Sequence, residues 1–275
     1  MGNGAFDGKV ALVTGAARGQ GLAIAQALAR GGAAVAMSDI GRSDLATVGY
    51  PLGSIETLER EVAALKAEGA TVLAGTCDVR QQGDVDAFVA TTVEEFGGLD
   101  IVVNNAGILT GGKPSHEIDD ATWDMVIAIN LTGVFRISRA TVPHLIARGG
   151  GRIINIASVA GLIGTPNFGH YCASKHGVVG LTKAMAAELA EHEITVNAVC
   201  PGAVDTKMVQ HSMTELAEQI GGTVDDAWQT ILSVHLIKKA ITPDQIAAAV
   251  LYLASEAAAL VTGSCLSIDG GWSTT

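Results

Sequence analysis

What most limits the fold of this chain is a rhythm. Short, β-branched apolar runs alternate with longer amphipathic ones along nearly its whole length. Lys9–Gly15, Ala33–Ile40, Thr71–Val79, Leu99–Gly107, Arg152–Ser158, Ile194–Pro201 and Ser264–Asp269 read as strands. Between them, Gly19–Gly31, Ser54–Gly69, Gln82–Gly97, Asp119–Gly149, Gly169–Glu191 and Thr242–Ala254 read as helices, the fourth broken near its end by Pro143. Strands that are apolar at successive positions are buried on both faces. Seven such strands with helices between them predict the α/β class, a doubly wound parallel sheet flanked by helices. No Pro/Ser-rich linker, low-complexity tract or internal repeat divides the chain, so residues 1–275 are expected to form one domain. Two segments fall outside the rhythm. Gly41–Gly53 is longer than the roughly two to six residues of an ordinary strand–helix connection, and reads as an insertion. Asp205–Lys239 follows a strand end and reads as a small helical lid.

Composition removes several alternatives. The chain has 275 residues with a hydrophobic share of 48% and a charged share of 16%, which is no profile for disorder. Lys and Arg number 17 against 28 Asp and Glu, for a net charge of −11. No Lys/Arg-rich run offers a nucleic-acid footprint. No stretch reaches the roughly 18 uninterrupted apolar residues of a membrane span, and Met1–Asp7 lacks the basic and apolar regions of a signal peptide. Cys77, Cys172, Cys200 and Cys265 lie far apart, so buried free thiols in a reducing, cytoplasmic compartment are expected. The histidines show no ligand spacing, and no metal is expected.

Thr14–Gly21 reads TGAARGQG on a strand-to-helix turn. Small residues at Gly15, Gly19 and Gly21 let the backbone approach a pyrophosphate, with Arg18 and Gln20 between them. The helix start then offers free N–H groups to the anion. Asp39–Ile40 ends the next strand, where a carboxylate holds both ribose hydroxyls and repels a 2′-phosphate. That favours NAD over NADP. Arg18, with Arg42 near it, is the opposing sign, a partner for a 2′-phosphate. Asp78 ends the third strand and can accept from an adenine amine while Val79 packs on the ring. Asn105, Ala106 and Gly107 end the fourth. Asn105 is expected to close the turn with its side chain while the cofactor lies over its backbone.

Tyr171 and Lys175 stand four apart on one helix face. An ammonium beside a phenol favours the phenolate and would bring it towards working pH. Ser158, at a strand's exit, can steady charge on a substrate oxygen. Alone, a Tyr/Lys pair is surface decoration; with a dinucleotide loop and a strand-end serine it becomes a catalytic set.

Taken together, TGAARGQG, Asp78, Asn104–Gly107, Asn130, Ser158, Tyr171-x-x-x-Lys175 and Pro201-Gly202-x-x-x-Thr206 resemble the short-chain dehydrogenase/reductase family over essentially the whole chain. The resemblance implies a Rossmann fold, Tyr171 as general acid/base and Ser158 as stabiliser of the substrate oxygen. It implies Lys175 on the nicotinamide ribose, lowering the Tyr171 pKa, and Asn130 holding a relay water. It adds Pro201, Gly202, Val204 and Thr206 to the cofactor site. It also implies a homotetramer formed through the two long helices. Tyr50-Pro51-Leu52 in the insertion, with AARGQG and Lys175–Leu181, resembles the mycofactocin-associated, carveol dehydrogenase-like group, in which the insertion covers NAD and hinders its exchange. LAIAQAL after Gly21 and the ending Ser267–Trp272 depart from that group.

The lid segment carries Met208, Met213, Leu216, Ile220, Trp228, Ile231 and Leu232. An apolar lid with no obvious clamp for a carboxylate suggests a hydrophobic secondary alcohol or ketone as the small-molecule substrate. The expected activity is NAD-dependent hydride transfer. The alternatives are a 3-oxoacyl-thioester reductase, disfavoured by Asp39 and the acidic charge, and a non-catalytic NAD-binding sensor or scaffold, for which a tuned phenol would be superfluous.

Overall fold

A computed structural model describes residues 4–41, 45 and 48–274. Arg42 lies outside the described residues. The strands are β1 (Val10–Thr14), β2 (Ala34–Asp39), β3 (Val72–Thr76), β4 (Ile101–Asn104), β5 (Gly151–Ile156), β6 (Ile194–Pro201) and β7 (Cys265–Ile268). They form one seven-stranded sheet in the order β3-β2-β1-β4-β5-β6-β7, every pairing parallel. This is the expected doubly wound Rossmann arrangement.

Side-chain alternation builds two cores from the same strands. Ala11, Val13, Val35, Met37 and Ile154 face α1 (Gly19–Arg30), α2 (Ile55–Ala67) and α9 (Pro243–Ala254). Val10, Leu12, Ala36, Val102 and Ile153 face the other way. They meet α3 (Gln82–Phe96), α5 (Gly133–Arg148) and α6 (Gly169–Leu189). Strand order reverses between β1 and β4, which opens a crevice at the strands' carboxyl ends.

The helix boundaries have local causes. Ser54 caps α2 by accepting from Thr57 N at 3.2 Å. Thr242 and Gln245 form a capping box on α9, with Pro243 in its first turn. Gly97 ends α3 in the left-handed conformation.

The long helix departs from expectation. Pro143 does not break it: α5 runs through to Arg148. The proline costs the bond to the Arg139 carbonyl, on the exposed face where water serves instead. The irregularity comes earlier. A π turn, Ala128–Thr132, separates α4 (Asp120–Ile127) from α5. By length and mean hydropathy, 1.3 over its best window, Asp120–Arg148 is apolar enough to cross a membrane. Its inner residues Val126, Ile129 and Ile137 are packed into the sheet's core.

The Asp205–Lys239 region contains α7 (Lys207–Ile220) and α8 (Val224–Leu232). Met213, Ala217 and Ala227 form their shared core, with Leu216, Trp228 and Ile231 packed on it. Most of the segment's apolar residues therefore pack α7 against α8, the packed helical pair that their helical spacing implies. Cys77 and Cys200 are buried as expected, but Cys172 and Cys265 are only half-buried.

Candidate active site

A cleft, open at its mouth, lies across the switch point. Its floor is the glycine loop. Gly15 has φ +65°, and a Cβ there would lie 2.9 Å from Ala106 Cα. A Cβ on Gly21 would lie 2.1 Å from the Gly15 carbonyl oxygen, so no other residue fits. Asn105 locks the loop as expected, its Nδ2 donating to the Thr14 and Gly15 carbonyls at 2.9 and 3.0 Å. Arg18 stands at the N-cap of α1 without a side-chain cap, so the first amides of that helix are left for a ligand. Gln20 Oε1 is buried here without a partner among the described residues. Uncapped amides, an orphaned amide oxygen and two glycines with no room for a side chain fit a dinucleotide pyrophosphate.

Asp39 closes β2 beside this floor. Its Oδ2 accepts from Ala17 N at 3.0 Å and its Oδ1 from Ile40 N at 2.9 Å. Burial raises its pKa, opposed by these two amides and by Arg18. Asp78 and Val79 also line the cleft. The Asp78 carboxylate is already held by Arg80, with Nε 2.9 Å from Oδ1. That grip fixes its orientation, a partner that the sequence reading did not foresee.

At the other end stand Tyr171 and Lys175, one turn apart on α6 and both on the cleft wall. Ser158 hydrogen-bonds the Tyr171 phenol, which favours its ionised form, but burial dominates and pushes the phenol up to about 12. The Ser158 hydroxyl also accepts from Ala160 N at 3.1 Å. Lys175 is buried and donates to the Ile156 carbonyl at 2.8 Å. Burial brings its ammonium down to about 8. Its Nζ lies 5.6 Å from the Tyr171 ring centroid. The expected lowering of Tyr171 by Lys175 is thus not what governs this phenol. Desolvation outweighs it, and Ser158 supplies the counter-pull.

The Asn130 side chain has structural partners that the sequence reading did not foresee. It is fully buried in the π turn. Its Oδ1 accepts from Ile108 N at 2.8 Å, and its Nδ2 donates to Ile108 O at 2.9 Å and to Ser174 Oγ at 3.3 Å. Both Nδ2 hydrogens are thus used, and Oδ1 holds the Ile108 amide.

Of the Pro201–Thr206 motif, only Thr206 reaches the cleft wall. Gly202 lets β6 pass Asp269, where a Cβ would lie 2.9 Å from Asp269 Cα. Val204 is buried and bridges to Ile241. Pro201 ends β6. Thr206 caps α7, accepting from Val209 N at 3.4 Å. Lys207 and Met208 follow it on the cleft wall.

The sequence reading missed which insertion residues matter. Leu45, Leu52 and Gly53 line the cleft, and a Cβ on Gly53 would lie 2.6 Å from Asp39 Oδ2. Leu45 and Leu52, large apolar residues on either side of Tyr50 in a segment with no regular periodicity, were the available signal. It also passed over His170, which is buried and shares a 2.6 Å bond with Thr110 Oγ1.

Comparison with known proteins agrees with this geometry. A family model described as short chain dehydrogenase matches residues 9–217. An uncharacterized NAD-dependent oxidoreductase of Mycobacterium tuberculosis is 42% identical over 270 residues, covering 98% of this chain and 97% of that protein. Carveol dehydrogenase from Mycobacterium avium, solved in complex with NAD, superposes with a TM-score of 0.95 at 38% identity, over 99% of this chain and 100% of that one. An actinorhodin polyketide ketoreductase solved with NADPH gives a TM-score of 0.88 at 38% identity, over 97% and 98%. With the family model matching residues 9–217 and the glycine loop and the Tyr171/Lys175 pair on one cleft, the chain belongs to the short-chain dehydrogenase family.

Proposed function

We propose that this chain is an NAD-dependent oxidoreductase acting on a hydrophobic secondary alcohol or ketone. The observation that carries it is one cleft lined by Gly15, Gly19 and Gly21, by the Asp39 carboxylate, and by Tyr171 with Lys175 one turn away. When bound, the nicotinamide supplies the hydride acceptor or donor. The chain's own residues handle the rest. Asp39 accepts from the adenosine ribose and repels a 2′-phosphate. Gly15–Gly21 carry the pyrophosphate on main-chain amides. Tyr171 exchanges the hydroxyl proton at its phenol oxygen, and Ser158 holds the substrate oxygen beside it. A phenol at about 12 keeps its proton at neutral pH, which suits donation to a ketone oxygen. Alcohol oxidation needs a nearby cation to ease ionisation, and Lys175 is the cation one helical turn from Tyr171, its Nζ 5.6 Å from the ring centroid.

In this reading Leu45, Leu52 and Gly53 cover the dinucleotide against Asp39 and slow its exchange, as in the mycofactocin-associated group. The α7–α8 hairpin is the substrate lid, its contact with the cleft made by Met208. The protein works in the cytoplasm as a homotetramer. Exposed Trp123, Phe135 and Ile146 on α4 and α5 would pack between subunits. A thioester ketoreductase using NADPH has the likeness to the actinorhodin enzyme in its favour; Asp39 and the net charge of −11 speak for the first reading.

The test is to denature purified protein and identify the released nucleotide by mass spectrometry, then assay secondary alcohols with free NAD and with artificial electron acceptors. Retained or readily bound NAD with alcohol turnover is expected. NADP in its place, or no nucleotide binding at all, would overturn the reading.

A further inference from the structure

Three consecutive residues after β4 are each tied to a different part of the molecule. Ile108 is held on both sides of its peptide by Asn130, in the π turn. Leu109 N donates to the Tyr50 phenol oxygen at 3.1 Å, across 59 positions of sequence. Thr110 Oγ1 bonds the buried His170, the residue before Tyr171. The middle tie comes from the insertion. Tyr50 is only 5% exposed, although it stands in a segment of irregular backbone. Its ring has two neighbours: the Arg18 guanidinium carbon lies 5.3 Å from the centroid, and the His211 ring of α7 lies 5.6 Å away, tilted by 55°. The neighbouring Gly49 is pressed to His211, where a Cβ would lie 2.5 Å from Nε2. His211 in turn pairs with Glu215 at 3.4 Å. Glu215 faces the same loop, 3.3 Å from where a Cβ on Gly111 would stand.

Cation–π contacts, ring contacts and a single hydroxyl bond are each weak, so several must act together to hold a loop. We infer that Tyr50 is a positioning residue for the substrate loop Ile108–Gly111, joining the insertion and the α7 lid into one clamp at the tyrosine end of the cleft. The insertion then has two separable tasks. Leu52 and Gly53 lie against the dinucleotide floor, whereas Tyr50 sets the loop that a substrate meets beside Tyr171. Opening the lid would strip His211 from the Tyr50 ring, and so loosen the loop.

This inference rests on the proposed oxidoreductase reading, but its first readout does not. Hydrogen–deuterium exchange of the peptide spanning Ala106–Lys113 is compared in wild type and Tyr50→Phe, which keeps the ring and deletes the hydroxyl. Loss of one hydrogen bond is expected to speed exchange at Leu109 by about fivefold to tenfold. KM for the best secondary alcohol should rise by a similar factor, with NADH affinity within about twofold by fluorescence titration. Leu52→Ala should do the reverse, weakening NADH and sparing KM. Unchanged protection in Tyr50→Phe would overturn the inference. So would faster exchange with KM unmoved, or a loss of NADH affinity matching the rise in KM. If wild type binds no nucleotide, the exchange result still decides whether Tyr50 holds the loop.

Discussion

At the glycine end of the cleft the walls are main chain; at the tyrosine end they are side chains held by other side chains. Gly15 and Gly21 meet carbonyl and Cα atoms of their own loop and of the β4 exit, with no tolerance for a Cβ. Ser158 and Lys175 are buried polar groups and Tyr171 is half-buried between them and the cleft, so the behaviour of each depends on what surrounds it. Lys175 is oriented by the Ile156 carbonyl, and the substrate loop beside them hangs on Asn130, Tyr50 and His170. The backbone end binds by shape and by fixed dipoles. The side-chain end does chemistry, and there each group's pKa is a product of burial and of one or two bonds.

The sharpest way to break this comparison is to put a side chain where only backbone fits. Gly21→Val would drive Cβ into the Gly15 carbonyl and the Asn105 amide. Nucleotide affinity is expected to fall by more than about a hundredfold, with about 1–3 kcal/mol of stability lost to overpacking. Titration with NADH and a thermal melt measure both. Affinity within a few-fold of wild type would show that the floor is not main chain in the sense argued.

A side-chain substitution at the other end should behave differently. Asn130→Ala strands both the N–H and the carbonyl of Ile108. Each unpaired buried group costs about 1–3 kcal/mol. A lower Tm and a raised substrate KM are expected, with NADH binding largely kept. Parallel loss of NADH binding would erase the distinction between the two ends.

The smallest effect is a pH dependence. The Lys175 ammonium is held at about 8 against an ordinary 10.5. Between those values the unfolded chain carries more protons than the folded one, so stability contributed through this residue rises with pH. Below about 8 the buried ammonium is a standing cost. Wild type should therefore gain stability relative to Lys175→Met as pH rises from about 8 to 10.5. Denaturant melts at a series of pH values would read this, and a flat or falling difference would contradict it.

The same contrast explains what could be read in the sequence. Gly15, Gly21 and Asp39 stand at spacings that strand–turn–helix geometry imposes, so the floor of the cleft was legible. Tyr171 and Lys175 were legible because one helical turn separates them. What they do to each other was not, because the phenol answers to burial more than to the lysine. Asn130 looked like a polar fault in an apolar helix. Its purpose depends on Ile108, 22 positions away, which no periodicity reports. Pro143 suggested a break because local rules penalise it, yet it falls where the lost bond faces water. The Tyr50–Leu109 tie spans an insertion with no regular pattern, so its value lay beyond any local signal. By contrast, the helical spacing of the apolar residues in Asp205–Lys239 implied a packed helical pair, and α7 and α8 do bury them against each other, but spacing did not report that Met208 reaches the cleft.

The central claim is that Tyr171 is the proton-transferring group of a hydride-transfer site. The direct measurement is kcat of Tyr171→Phe beside its NADH dissociation constant. General acid–base catalysis contributes about 10²–10⁴-fold, so turnover should fall by that much while NADH binds within about twofold of wild type. Turnover preserved to within a few-fold in the phenylalanine variant would contradict the account.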